Sequence, residues 1–272
     1  MGRHLNASWV ATFAGAAALC GILFPCRGVF AEQVRVRYTE GLSRGFMMMH
    51  TQSGVSIAQG ETTQTASNGR VTSHLVFHFK DGSVYDDTTT FTDRGMFRLL
   101  SDHLIEKGPS FKMPTDTSID TSTGMVSVSY SEGVKTKTIH QKMDLPVDLA
   151  NGMIFAIVKN IRSRPVTSVS YLATAPKPQL IKLVFTQEGR ENFTIGSSTE
   201  PAIHYVMKVD IGGIKGAIAK LLKKTTADTQ FWILDGGVPT YAGSEGPLYA
   251  DGPIWRIDLV SPSRAESPEQ SK

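Results

Sequence analysis

The sequence predicts a mainly β fold of the α+β class. We expect a curved antiparallel sheet, shaped as a half-open barrel or clamshell, with one long amphipathic helix packed on it and a second short helix. The first observation is residues 71–92, where two runs rich in Val, Phe, Tyr and Thr flank Asp81-Gly82. Asp-Gly favours the left-handed dihedrals of a tight hairpin turn. Similar turn sequences at Asn68-Gly69 and at 93–95 extend the hairpin into a meander. The second observation is an apolar stripe at helical spacing over residues 144–162.

Residues 1–31 have the pattern of a signal peptide. Arg3 and His4 give a short basic start, residues 9–24 form an apolar core, and small residues precede a predicted cleavage after Ala31. A membrane anchor is the alternative, but the apolar run is shorter than the ~20 residues of a spanning helix. We therefore expect a periplasmic or secreted protein with one β-rich domain over 32–260. Residues 261–272 contain no large apolar side chain, which predicts a disordered tail.

Charge and cysteine content restrict the function. Both cysteines, Cys20 and Cys26, lie in the predicted leader, so the mature chain would hold no disulfide, thiolate metal site or cysteine nucleophile. Without the leader the chain keeps 26 of its 28 basic side chains against 25 acidic ones. Because phosphate binding requires a clustered positive face, this balance argues against nucleic acid as a partner.

The first half of the mature chain predicts mostly strands. Residues 33–40 alternate apolar and charged side chains and predict the opening strand, and residues 45–58 continue with a break at Ser53-Gly54. Residues 96–105 fit either a short helix or a strand. Residues 108–124 are rich in Pro, Ser, Thr and Asp and predict a surface loop. Residues 125–130 and 134–143 then predict a second hairpin.

The long helix is predicted over residues 144–162, with Pro146 in its first turn and Pro165 beyond its end. Its apolar face is the candidate ligand-binding surface, and five residues represent that face: Leu149, Met153, Ile154, Ile157 and Val158.

Further strands are predicted at 167–173, 179–186, 204–211, 229–234 and 254–260. Residues 237–253, rich in Gly, Pro and Tyr, predict a tightly shaped loop.

The second helix, residues 214–224, is basic and amphipathic. Such a helix can lie on an anionic membrane surface, but lysines in the last turns also offset the helix dipole in any soluble protein. We favour the second explanation. Its face residues are Ile214, Ile218, Leu221 and Leu222 on the apolar side and Lys215, Lys220, Lys223 and Lys224 on the basic side.

Motifs that carry chemistry are weak in this chain. Residues 41–45 match G-x-S-x-G around Ser43, but a strand-like run follows where the nucleophile elbow requires a helix. His74 and His78 share a strand face but lie roughly 13 Å apart, too far to bind one ion. Asp86 and Asp87 are neighbours on a strand, so their side chains point in opposite directions. We therefore predict no catalytic residue, no metal site and no cofactor.

Three segments together resemble a family of uncharacterised exported bacterial β-rich proteins, which is related to periplasmic domains of unknown function. They are residues 144–153, residues 176–178 and the closing run of 245–249 with 252–258. The resemblance implies an exported β fold with a helix against it, and it implies no activity.

Two function classes follow, with a third as an alternative. An apolar helix stripe beside many long strands can leave a cavity, which predicts a binding or carrier module for an apolar small molecule such as a lipid. A secreted hydrolase could draw its acid and base from residues distant in sequence. An envelope scaffold or assembly protein would instead have a filled core and an exposed apolar patch.

Overall fold

The structure is a computed structural model that describes residues 33–132, 135–161, 166–174, 177–211 and 227–260. The predicted signal peptide, the predicted second helix at 214–224 and the predicted disordered tail lie outside these residues. Within the described residues, no helix has the length and apolar character needed to cross a membrane.

The described residues form fourteen strands and one helix. In chain order these are β1 (Ser43–Thr51), β2 (Ser56–Ser67), β3 (Arg70–Phe79), β4 (Val84–Arg94), β5 (Met96–Lys107), β6 (Thr115–Asp120), β7 (Met125–Glu132), β8 (Lys135–Lys142), α1 (Ile154–Asn160), β9 (Val166–Ala173), β10 (Gln179–Ile195), β11 (Ser198–Asp210), β12 (Thr229–Leu234), β13 (Thr240–Pro247) and β14 (Ile254–Val260). The mainly β prediction is confirmed.

All fourteen strands belong to one unclosed antiparallel sheet, in the order β8 to β1 followed by β14 to β9. Every neighbouring pair is consecutive in the chain except β1 and β14, which pair with Met48 opposite Asp258. The first half of the sheet is therefore one meander, β1–β8, and the second half is another, β9–β14. The predicted hairpin is present, because β3 and β4 pair around the Asp81-Gly82 turn, where Gly82 has φ +85°.

The prediction of a long helix over residues 144–162 is wrong. Helical backbone is confined to Ile154–Asn160, and residues 144–153 are extended or turning. We call residues 148–152 the strap. The Asp148 carboxylate accepts a hydrogen bond from the Ser170 backbone N–H at 3.0 Å, and the Asn151 amide exchanges two with the backbone of Leu172.

These strap contacts explain the shortened helix. Short polar side chains that bind backbone groups of β9 compete with a local helix. Gly152 adds a left-handed residue, φ +65°, directly before the point where α1 begins. The spacing of apolar residues was helical, but the backbone follows the edge of β9 instead, with Leu149 bridged to Ser170.

Residues 33–40 do not form the predicted opening strand. They make one isolated bridge, from Arg35 to Met96. The backbone N–H groups of Arg37 and Tyr38 both donate to Oδ1 of Asn160 at the end of α1, at 2.8 and 2.9 Å. The Asn160 side chain therefore accepts the backbone hydrogen bonds that a neighbouring strand would otherwise accept from this segment.

Two predicted loops contain strands. β6 lies inside the predicted loop at 108–124, and its Thr115, Thr117 and Ile119 side chains are buried. β13 lies inside the Gly-, Pro- and Tyr-rich segment 237–253. Both were missed because threonine and glycine replace the usual large apolar residues at inward positions. The ambiguous residues 96–105 form a strand, β5.

One hydrophobic core joins the two halves of the sheet. It contains Phe77 and Phe91 from the first half and Phe185 and Phe231 from the second, together with Ile157 of α1. The inner faces of the two meanders therefore face each other, with α1 and the strap between them.

Candidate functional site

A cavity of about 500 Å³ lies between the two halves of the sheet. This volume is within the range of small-molecule sites in proteins, roughly 300–1,000 Å³. Strands β3 to β6 form one side of it, strands β9 to β14 form the other, and Ile154 and Phe155 of α1 also contribute. The cavity thus depends on residues far apart in the sequence.

The second half of the sheet supplies the apolar wall. We define this wall as Ile181, Leu183, Met207, Val209, Phe231 and Ile257. These residues come from β10, β11, β12 and β14, where alternation points every second side chain to the inner face. No residue that β9–β14 contribute to the cavity lining carries a charge.

The first half supplies the acidic wall. We define it as the lining residues of β3–β6: Leu75, Tyr85, Asp87, Asp102, Leu104, Glu106, Thr115 and Thr117. Asp87, Asp102 and Glu106 are only 7%, 4% and 8% exposed. Three carboxyl groups are thus buried together on one face of the sheet.

A bulge in β5 puts two of these carboxyls inside. Thr90 is opposite Ser101 and Phe91 is opposite Leu99, so Leu100 is an extra residue without a partner. Phe97 and Leu99 face the core before this bulge, and Asp102 and Glu106 face it afterwards. The backbone carbonyls of Leu99 and Leu100 both accept hydrogen bonds from the Thr121 hydroxyl, at 2.9 and 3.0 Å.

Cross-strand pairing gathers the three carboxyls. Asp102 is directly opposite Thr89, and Glu106 is directly opposite Tyr85. Asp87 is opposite Leu104, between these two pairs, so it is diagonal to both Asp102 and Glu106.

Asp87 and Asp102 form a hydrogen-bonded pair with the Thr89 hydroxyl. That hydroxyl lies 2.8 Å from Oδ1 of Asp102 and 3.2 Å from Oδ1 of Asp87. Burial raises the pKa of Asp102 to about 6, although hydrogen bonds from Thr89 and Asp87 oppose the change. Burial, and next the charge of Asp102, raise the pKa of Asp87 well above its ordinary range. The pair therefore holds a proton under conditions in which exposed aspartates have lost theirs.

Glu106 is held by a single hydroxyl. Thr115 donates to its Oε2 at 2.8 Å, and Oε1 accepts no hydrogen bond from any residue that the structure describes. Burial raises the pKa of Glu106 to about 7, with the nearby Asp87 carboxyl acting in the same direction and the Thr115 hydrogen bond acting against it. This carboxyl has an unused oxygen at the cavity wall.

The three carboxyls affect two buried tyrosines on opposite sides of the cavity. Burial raises the pKa of Tyr85 and of Tyr171, and the charges of the three carboxyls raise both values further. Tyr171 belongs to β9, on the other side of the cavity from β4 and β5. The carboxyls therefore influence groups on both halves of the sheet.

The strap closes against the acidic wall at Gly152. A Cβ atom at this position would overlap the Thr89 hydroxyl and the Asp102 carboxylate. Only a residue without a side chain fits here, and the left-handed φ favours glycine independently. The strap thus joins the edge of β9 to the carboxyl pair on β4 and β5.

The five predicted ligand-binding residues are all in or next to the core, but they do not share one surface. Ile154 lines the cavity, whereas Leu149, Met153, Ile157 and Val158 are buried in the hydrophobic core and are not part of the lining. The sequence interpretation did not identify the acidic wall. A polar pair, Asp87 and Thr89, between inward-facing aromatic residues of β4 was the signal that could have shown it.

Other candidate motifs lie elsewhere. Ser43 begins β1 and donates a hydrogen bond to the exposed Gln64 side chain at 3.1 Å, with no helix after it. His74 bonds Asp86 at 2.9 Å on the outer face, opposite the direction of Asp87. Among the described residues, no group of three His, Cys, Asp or Glu side chains has the geometry to hold a metal ion.

Searches of protein-family models, of curated protein sequences and of solved structures found no match to this chain.

Proposed function

We propose that the protein binds an apolar small molecule, such as a lipid, in the cavity between the two halves of its sheet. One observation carries the proposal, namely a cavity of about 500 Å³ with a wall of aliphatic and aromatic side chains from β10, β11, β12 and β14. A buried apolar surface without protein contacts favours an apolar occupant, because a ligand restores those contacts and excludes water. The envelope-scaffold alternative predicts a filled interior, so the cavity favours the binding function.

The proposed function is compatible with the predicted periplasmic or secreted location. A protein with residues 1–31 removed, acting in the periplasm or outside the cell, would carry or sequester a molecule of low water solubility. The exposed lining residues Lys112 and Asp251 form an ion pair at 3.3 Å, so this part of the lining is polar.

The test is native mass spectrometry of the purified protein, followed by extraction with organic solvent. We expect an adduct of lipid-like mass that is released by extraction. The stripped protein should then bind octanol in isothermal titration calorimetry.

A cavity-filling variant identifies the binding position. Ala173→Trp adds a large side chain at the lining, and Val166→Trp adds the same side chain on an exposed residue of the same strand. We expect Ala173→Trp to weaken octanol binding by about 10-fold or more, since it removes volume that the ligand occupies. Val166→Trp should leave the affinity unchanged. Equal affinities for the two variants would place the ligand outside the cavity.

The hydrolase alternative has one observation in its favour. Asp102 and Glu106 have pKa values raised to about 6 and 7 in a cavity, which is the range in which carboxyls act as general acids or bases. Hydrolysis of chromogenic esters or glycosides that disappears in Glu106→Gln would support this alternative.

A further inference from the structure

The acidic wall is a poor surface for a ligand that is apolar throughout. A buried carboxylate requires a partner, because the low-dielectric interior does not compensate for the loss of water. Within the described residues, the partners of Asp87, Asp102 and Glu106 are hydroxyl donors and one another. No salt bridge within the described part of the chain involves any of them.

The positive charges of the cavity lie at its exposed edge and do not neutralise these carboxyls. Lys112 and Lys177 are the only basic residues of the described lining, and both are exposed. The Lys112 ammonium is bound to Asp251. Among the described residues, the cavity lining thus combines a neutral apolar wall and an acidic wall with no buried basic side chain.

We infer that the ligand is an amphiphilic amine whose protonated nitrogen binds at the acidic wall while its hydrocarbon part lies on the apolar wall. The inference rests on the proposed function, since it specifies the chemical class of the same ligand. An ammonium group has three N–H donors and no acceptor, which matches a site of carboxyl oxygens. Oε1 of Glu106, which has no donor among the described residues, accepts one of these hydrogen bonds, and the Asp87 carboxyl lies diagonally across from Glu106 on β4.

The alternative polar groups fit less well. A carboxylate or phosphate would bring a further negative charge to three buried carboxyls, and like charges in a buried site repel strongly. An alcohol can donate only one hydrogen bond and adds no charge. The order of affinity expected from the site is therefore amine, then alcohol, then carboxylate.

The test compares three ligands of equal chain length by isothermal titration calorimetry at pH 8: octylamine, octanol and octanoate. A primary amine is protonated at this pH. We expect octylamine to bind at least about 10-fold more tightly than octanol, because hydrogen bonds to charged groups are worth more than neutral ones. Octanoate should bind more weakly than octanol.

Variants assign the preference to the carboxyls. Glu106→Gln should remove most of the advantage of octylamine over octanol. Asp116→Asn removes a carboxylate from an exposed position on β6, next to Thr115 and Thr117 but on the outer face, and should change neither affinity.

The outcomes separate the two proposals. Equal affinities of the unmutated protein for octylamine and octanol would overturn the amine inference and leave the apolar-ligand function standing. No binding of any of the three would overturn both. An octylamine preference that survives Glu106→Gln and Asp102→Asn would overturn the assignment to the acidic wall. The ligand series on the unmutated protein decides the matter even where a variant does not fold.

Discussion

The two walls of the cavity are built from the same element, an antiparallel meander, yet they have opposite chemistry. The apolar wall on β10, β11, β12 and β14 consists of aliphatic and aromatic residues, and in β10 and β11 it follows regular alternation, as in Ile181 and Leu183 or Met207 and Val209. On β4 and β5 the inward positions hold three carboxyls, and a bulge at Leu100 is needed to place two of them. The first half of the sheet thus has a bulge and buried carboxyl groups at the cavity, where a regular strand would place apolar side chains. Such departures are typical of functional sites.

The largest expected effect comes from the place where the strap meets the acidic wall. Gly152→Ala should lower the free energy of unfolding by roughly 3 kcal/mol, because the residue has a left-handed φ and its new methyl group would overlap Thr89 and Asp102. The measurement is urea unfolding.

Gly54→Ala is the matched control for this substitution. Gly54 also has a left-handed φ, +84°, but no atom lies near the position of its added Cβ. It should therefore cost only about 1 kcal/mol, the conformational part alone. Equal losses for the two variants would mean that the strap does not press on the carboxyl pair.

A second prediction concerns pH. The pKa values of Asp102 and Glu106 in the folded protein, about 6 and about 7, lie above those of the unfolded chain. The folded state therefore binds these protons more tightly, so the stabilisation is complete below pH ~4 and is lost as the pH rises through 6 and 7. Each group contributes on the order of 2–3 kcal/mol to this loss.

The measurement is the urea midpoint at pH 5 and pH 8. Glu106→Gln should reduce the decrease between the two pH values and should be more stable than the unmutated protein at pH 8. Asp116→Asn controls for the loss of one surface charge. If the urea midpoint of Glu106→Gln fell as much between pH 5 and pH 8 as that of the unmutated protein, ionisation of Glu106 would not be the cause of the pH dependence.

The smallest expected effect concerns the bulge itself. Thr121→Val keeps the shape of the side chain and removes its hydrogen bonds to the carbonyls of Leu99 and Leu100. We expect a loss of about 1 kcal/mol in thermal or urea unfolding. Thr138→Val, at an exposed position where the hydroxyl bonds only Ser129, should lie within about 0.5 kcal/mol of the unmutated protein.

Much of the sheet could be predicted from turn residues and alternation, since Asp81-Gly82, Asn68-Gly69 and Gly95 all mark hairpin turns. The length of the helix could not be predicted, because it depends on hydrogen bonds from Asp148 and Asn151 to the backbone of β9. Those partners lie 22 and 21 residues further along the chain and leave no mark in the local sequence.

The acidic wall could not be predicted from alternation because of one residue, the unpaired Leu100. Alternation extended from Phe97 and Leu99 would point Ser101, His103 and Ile105 inward and Asp102 and Glu106 to solvent. The unpaired Leu100 reverses that assignment. Nothing in the local sequence marks the reversal, because it depends on the carbonyl contacts of Thr121 from another part of the chain. Asp87 was placed on the opposite face from Asp86, which the structure confirms.

The pairing of β1 with β14 has a consequence for how the chain reaches this state. The first and last strands meet in the middle of the sheet, with Phe46 opposite Val260. A polypeptide that emerges from its N-terminus onward can complete the β1–β8 meander early, but it cannot join the two meanders until the last strand is free. Contacts of such sequence separation form slowly. We therefore expect the cavity between the meanders to form late in folding, after β14 has become available to pair with β1.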